Sequence, residues 1–235
     1  MNIFENKLKA LGITLTDIQR QQFDKFYELL VEWNKVMNLT GITDYDEVNE
    51  KHFLDSVSLV KAIDIDQVDT LIDIGTGAGF PGIPLKIVFP HLKIVLLDSL
   101  NKRIKFLNKV IDEIGLADII TMHGRAEDYA KQEEYREKFD ICVSRAVANL
   151  STLSEYCIPY VKVGGIFLPY KSGDIDEEVQ QAKKAIHVLG GKIDEVIKFQ
   201  LPDTEINRSF VKINKTNNTP KKFPRKAGLP TKEPL

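Results

Sequence analysis

The stretch Leu71–Gly82, LIDIGTGAGFPG, decides how this chain is read. It begins as a short apolar strand carrying Asp73 near its end. It then turns through Gly75, Gly77 and Gly79 and enters the apolar run IPLKIVF after Pro81. Glycines at alternate positions let the backbone take positive φ and approach a ligand with no Cβ in the way. A strand, a glycine turn and a helix start form the nucleotide-type site of an open α/β sheet, at the carboxyl end of a strand.

Two ligands compete for such a turn. Gly77, Gly79 and Gly82 satisfy G-x-G-x-x-G, the dinucleotide fingerprint in which a pyrophosphate rests on a helix N-terminus. Pro81, however, removes a backbone N–H where a phosphate loop needs one. Asp73 also sets a carboxylate where the pyrophosphate would approach. A carboxylate suits a ligand bearing an ammonium group, so D-x-G-x-G-x-G resembles the first motif of S-adenosylmethionine (SAM)-dependent methyltransferases. NAD is the alternative, and a purely structural glycine turn the third reading.

Working outward, residues 1–62 read as helical. Thr16 is an expected N-cap, and Ile18, Phe23, Phe26, Leu29, Leu30, Trp33 and Met37 recur at roughly helical spacing before Asn38-Leu39-Thr40-Gly41 breaks the pattern. A second helix is expected over Asp46–Ala62, with Val48, Phe53, Val57 and Val60 inward. His52 and Asp55, three apart, share a face and read first as a local side-chain pair. With no Gly/Ser/Pro-rich spacer after it, 1–62 is an N-terminal helical extension packed on the domain that follows, residues 63–216. There strand and helix alternate, which predicts an α/β fold with a mostly parallel, doubly wound sheet. The seven expected strands are 70–74, 93–98, 119–123, 139–144, 165–170, 192–200 and 209–214. No helix separates the last two, which predicts an antiparallel edge hairpin. Residues 217–235 form a basic, proline-rich C-terminal tail that need not fold by itself.

The strand ends carry the chemistry. Asp98 closes IVLLD some twenty residues after the turn, where a carboxylate accepts from ribose hydroxyls in NAD and SAM sites alike; otherwise it caps the helix at Asn101. Gly124-Arg125-Ala126-Glu127 follows the third strand, with backbone placed for an adenine edge. Arg145, in Ser144-Arg145-Ala146, ends the fourth strand at the crevice, and a strand-end arginine is costly unless paired. The residues after that strand, SRAVAN, lack the [D/N]-P-P-[Y/F] of adenine and cytosine amino methylation. Cys142 and Cys157 read as core thiols, not as the nucleophile of pyrimidine carbon-5 methylation. No Ser-His-Asp signature, P-loop lysine motif or metal ligand set is seen. Such a site suits methyl transfer to an atom with a free lone pair, such as guanine N7, driven by positioning and electrostatics.

Composition is permissive. The 235 residues are 43% hydrophobic, enough for a sizeable core, and no run reaches the ~18 apolar residues of a membrane span. Neither a secretory leader nor a disulfide framework is evident, so a cytoplasmic location is expected. From Thr219 onward, Lys221, Lys222, Arg225, Lys226 and Lys232 face only Glu233, so the tail is +4 and the remainder −6 within a formal net charge of −2.

The motifs NLTGIT, KHFLDS, DIGTGAGFPGIPL, LDSxxKRxxFL, RAE, SRAVA and the terminal RKAGLPTKEPL occur in this order. Together they resemble the ribosomal RNA small subunit methyltransferase G family (glucose-inhibited division protein B) from about Trp33 to the C-terminus. The resemblance implies a Rossmann-like, SAM-dependent methyltransferase fold and N7 methylation of a guanine in 16S rRNA near the decoding site. It also implies a bacterial, cytoplasmic enzyme using no metal. The expected partner is the small ribosomal subunit or an assembly intermediate, and nothing demands a dimer. Implied SAM contacts are Gly75, Phe80, Ala126, Glu127 and Arg145, to which residue chemistry adds Asp73, Gly77, Gly79 and Asp98. Arg145 is the candidate nearest the acceptor. His52 and Asp55 become expected site-lining residues, and Lys102, Arg103, Lys171, Arg225 and Lys226 expected RNA phosphate contacts. The competing readings are an NAD-dependent oxidoreductase and a SAM-binding RNA-binding module without catalysis.

Overall fold

The structure, a computed structural model, describes residues 3–145 and 148–235. The helices are α1 Ile3–Ala10, α2 Asp17–Met37, α3 Tyr45–Val48, α4 Asp55–Val57, α5 Gly82–Val88, α6 Asn101–Glu113, α7 Ala126–Tyr129, α8 Leu150–Cys157, α9 Asp176–Val188 and α10 Leu229–Lys232. The strands are β1 Thr70–Ile74, β2 Lys93–Asp98, β3 Ile119–His123, β4 Phe139–Arg145, β5 Val161–Ser172, β6 Gly191–Gln200 and β7 Asn207–Lys215. They form one sheet in the order β3-β2-β1-β4-β5-β7-β6. β1 to β5 are parallel, and β7 runs antiparallel to both β5 and β6. The order reverses between β1 and β4, and a ligand crevice belongs at the carboxyl ends of those strands.

The expected seven strands and edge hairpin are present, with β5 extended at both ends. Ala146, which followed the predicted fourth strand, lies outside the described residues. One buried cluster on one sheet face joins α1, α2, α5 and α6 to the strands, and a second cluster packs α8 and α9 on the other face. The N-terminal extension belongs to the first. Phe26 lies 5.3 Å from Phe53 and 5.4 Å from Phe80 between ring centroids, so an aromatic stack runs from the extension to the residue just after the glycine turn.

Two expectations for this extension need correction. Ile18 is 68% exposed, because the buried stripe of α2 is Phe23, Phe26, Leu29 and Leu30, one face away. Thr16 does cap α2, through a reciprocal box with Gln19. Residues 46–62 are not one regular helix: α3 widens into a π-helical segment over Asn49–Leu54, then α4 tightens into a 3₁₀ turn over Ser58–Lys61. The hydroxyls of Ser56 and Ser58 donate to the carbonyls of His52 and Asp55, each at 2.6 Å, competing with the regular backbone ladder. Such wide turns concentrate at functional sites, and this one carries His52.

The C-terminal tail is held on the body: Phe223 and Pro230 are buried, Arg136 donates to the Thr219 carbonyl, and Thr152 of α8 and Glu127 of α7 bind Pro230 and Gly228.

Candidate active site

The crevice is a row of three neighbouring cavities along the carboxyl edge of the sheet, each sharing lining residues with the next. The first, about 400 Å³, lies between Gly75, Asp98, Gly124, Ala126, Glu127, Asn149, Thr152, Tyr156 and Thr231. The second, about 420 Å³, shares Gly75, Asp98 and Ser99 with it and adds Thr40, His52, Gly77, Phe80, Arg103 and Arg145. The third, about 530 Å³, shares His52 and Arg145 and adds Lys51, Asp55, Tyr170, Lys171, Glu178 and Arg208.

The glycine turn supports the first two. Gly75 and Gly77 have φ of 71° and 63°, and a Cβ on Gly77 would meet nothing nearer than 4.0 Å, so the backbone there borders open crevice. Gly82 has another role: a Cβ would strike Leu96 and the Asp73 carboxylate, so its lack of side chain sets the close approach of α5 to the sheet. Gly79 turns inward against Ile83 and Leu107 and is not among the residues lining these three cavities.

Asp73 is placed differently from its expected role at a ligand ammonium. It has no exposed surface, and its Oδ2 accepts from the Thr76 hydroxyl at 2.7 Å and the Gly82 N–H at 2.9 Å. Burial raises its pKa to about 7 against those hydrogen bonds, and its Oδ1 has no partner. A direct ion pair is closed to a carboxyl with no exposed surface; here Asp73 shapes the turn. Asp98 does face the crevice. Its Oδ2 accepts from Gly77 N–H at 2.9 Å and Arg103 at 3.1 Å, and its Oδ1 from Leu100 N–H at 2.9 Å. A carboxylate offers about four acceptor positions, so one ribose hydroxyl can be accepted without moving Arg103.

At the junction of the second and third cavities, His52 stacks on Phe80 with centroids 4.6 Å apart, and the Arg145 guanidinium lies 5.0 Å from the same ring. Asp55, 3% exposed, is bound on both oxygens, by Arg145 at 3.1 Å and by Arg208 Nε at 2.8 Å. The two cations are thus held side by side by one buried anion. His52 reaches Thr40 Oγ1 at 2.8 Å, and its Nδ1 lies 3.3 Å from Arg145. Burial first, then Arg145 and Arg208, lowers its pKa to about 4, so the ring is neutral at physiological pH.

The native state therefore binds this proton less readily than the unfolded chain, whose histidine titrates near 6.5. The stability it contributes is full above pH 6.5 and is lost as pH falls toward 4. Comparing thermal melts of the wild type and His52→Gln from pH 8 to 4 should show their difference shrinking by about 1–3 kcal/mol over that window. A difference independent of pH would contradict it.

The expected phosphate contacts separate. Lys171 lines the third cavity, donating to Glu178 at 2.7 Å and to the Ala148 carbonyl at 3.0 Å. Arg103 sits on the cofactor side, tied to Asp98. Lys102 and Lys226 are exposed outside the cavities. Arg225 is fastened to the buried Glu155 by its backbone N–H and its guanidinium, at 2.7–3.1 Å, so it anchors the tail instead of facing solvent. Among the lining residues that escaped the reading of the sequence are Thr40, Tyr156, Arg208 and Thr231.

A SAM-length ligand fits the first two cavities on three grounds. They share Gly75 and Asp98 in their walls, bare glycine backbone borders them, and a buried carboxylate accepts where they meet. Fold and site together define a SAM-dependent methyltransferase with a Rossmann-like sheet. Solved structures share the fold: M. jannaschii TYW2, in complex with AdoMet, superposes with a TM-score of 0.51 over 63% of this chain and 70% of that one at 13% identity. A Methanococcus jannaschii fibrillarin pre-rRNA processing protein gives 0.50 over 66% and 70% at 17% identity. Sequence goes further. The family described as rRNA small subunit methyltransferase G matches residues 19–228. A relative of that name from Lachnoclostridium phytofermentans is 55% identical over 99% of this chain and 96% of its own length. Another, from Brevibacillus brevis, is 53% identical over 99% and 98%. The chain belongs to the rRNA small subunit methyltransferase G family.

Proposed function

We propose that this enzyme methylates N7 of a guanine in the 16S rRNA of the small ribosomal subunit or its assembly intermediate, acting as a monomer in the bacterial cytoplasm. The observation that supports this reading is that Arg145 and His52 line both the second cavity, on the cofactor side, and the cation-lined third. SAM supplies an electrophilic methyl group on a sulfonium. Gly75, Gly77, Asp98, Ala126 and Glu127 hold it, with Phe80 and Arg145 at the end that meets the acceptor. The third cavity lies within the ~300–1,000 Å³ of sites that enclose small molecules, and receives the target nucleotide lifted out of its stack.

Guanine N7 already presents a lone pair and has no proton to lose, so transfer needs alignment and no general base. The crevice agrees. His52 is held neutral by burial and occupied by Thr40, and Arg145 is a cation. Cys142 is sealed in the core, where burial pushes its thiol up, so it supplies no nucleophile. Lys51, Arg145, Lys171 and Arg208 outnumber Asp55 and Glu178, leaving a cationic cavity for the phosphates around the base.

Arg208 tests the acceptor assignment, because it lines only the third cavity. Arg208→Gln should lower kcat/KM for RNA about tenfold or more, leave S-adenosylhomocysteine affinity within about twofold, and reduce the salt slope of RNA binding by about one. Equal RNA kinetics at several salt concentrations would remove the third cavity from the acceptor path.

A further inference from the structure

We infer that the C-terminal residues 226–235 are part of the cofactor site, with Thr231 and Tyr156 forming its outer wall. This inference rests on SAM occupying the first cavity. Thr231 is the tail residue that borders that cavity, and its hydroxyl lies 2.6 Å from the Tyr156 hydroxyl, another lining group. Three contacts set it there. Gly228 N–H donates to Glu127 Oε1 at 2.9 Å, and Glu127 is itself a buried wall of the cavity. The Thr152 hydroxyl donates to the Pro230 carbonyl at 3.0 Å, and Thr152 lines the same cavity. Arg225 pins the base of the segment to Glu155, whose side chain is 1% exposed, and reaches on to the Glu233 carbonyl at 2.7 Å.

Two of the lining side chains on the protein body are thus held by tail backbone, and a third by a tail hydroxyl. Gly228 has φ of 82°, a conformation that suits glycine and turns its N–H onto Glu127. The tail therefore encloses the adenosine end of the cofactor, while Lys226 and Lys232 stay exposed on its outer side. Its lysines face solvent, while its hydroxyl and backbone hold side chains that line the first cavity. Binding of cofactor and docking of the tail must then favour each other by the same factor.

The experiment compares S-adenosylhomocysteine affinity, by calorimetry, in the full chain, a chain ending at Arg225, full-length Thr231→Val, and Asp98→Asn. Ending at Arg225 keeps the Glu155 ion pair and buried Phe223, and circular dichroism melts without ligand report whether the remainder stays folded. The expected result is about tenfold or greater loss for the shortened chain and about threefold for Thr231→Val, the worth of a lost hydrogen bond. Saturating S-adenosylhomocysteine should also slow tryptic cleavage after Lys226 in the full chain by a similar factor. Full affinity in both tail variants, with Asp98→Asn impaired, would overturn the tail's role and keep the cofactor in this crevice. Full affinity in all three would remove the cofactor from the first cavity altogether.

Discussion

Asp55→Ala should abolish methyl transfer to RNA, by about 100-fold or more, while leaving a folded protein that still binds S-adenosylhomocysteine. The cause is electrostatic. Asp55 is 3% exposed and its two oxygens are divided between Arg145 and Arg208. Removing it leaves two guanidinium groups adjacent with no anion between them, and breaking a buried pair costs about 3–5 kcal/mol. The arginine side chains retain 16% and 20% exposure, so water recovers part of that, and about 2–4 kcal/mol of stability should be lost. Both arginines then swing toward solvent, and the junction between cofactor and acceptor loses its geometry. A misplacement of about 1 Å costs on the order of 100-fold in rate. Denaturant melts and calorimetry separate the two effects; unaltered transfer in a destabilised variant would show that the pair serves only the fold.

Asp98→Ala should weaken cofactor binding about 100-fold, the second large effect. This carboxylate accepts from Gly77, Leu100 and Arg103, so it fixes the glycine turn as well as offering one place to a ribose hydroxyl. Each charge-assisted bond contributes about 1.5–3 kcal/mol. Loss of the ribose contact and loosening of the turn act together on S-adenosylhomocysteine affinity. Asp98→Asn retains one acceptor oxygen and should lose less. Isothermal titration of both variants beside the wild type measures this; equal affinity in all three would take Asp98 out of the ribose site.

Much of this was legible in the chain. Alternating strands and helices predict the parallel sheet, and the apolar stripe of α2 predicts its packing. The last two strands read as a hairpin because nothing helical lies between them. Asp98, Ala126, Glu127 and Arg145 line one crevice because parallel strands bring their carboxyl ends to one edge; strand order points to Asp98 and Arg145, and the family resemblance to Ala126 and Glu127. Arg208 was missed for the same reason. β7 is antiparallel, so its first residues, not its last, reach that edge, and Arg208 lies opposite Ser172. Sequence spacing cannot show which end of a strand arrives at a site until its direction is known.

His52 and Asp55 show a second limit. They read as a local pair on a regular helix, yet they serve different partners: His52 stacks on Phe80 while Asp55 binds two arginines from the sheet. The π-helical widening that separates these tasks arises with serine hydroxyls competing for backbone carbonyls, a contest that periodicity does not reveal. Asp73 marks a third. Its place before the glycines suggested an exposed carboxylate, but the hydrogen bond from Gly82 turns it into the sealed floor of the turn. The tail's proline and lysine content says only that it need not fold by itself. Buried Glu155, Glu127 and Thr152 fasten it through Arg225, Gly228 and Pro230.

The most direct test is transfer from methyl-labelled SAM to small ribosomal subunits taken from cells lacking this protein, mapped by chemistry that cleaves RNA at 7-methylguanosine. The account predicts one new cleavage at a guanine of 16S rRNA, lost with Asp55→Ala. Label appearing at another base or atom, or no transfer to subunits, naked rRNA or assembly intermediates despite measurable SAM binding, would contradict it.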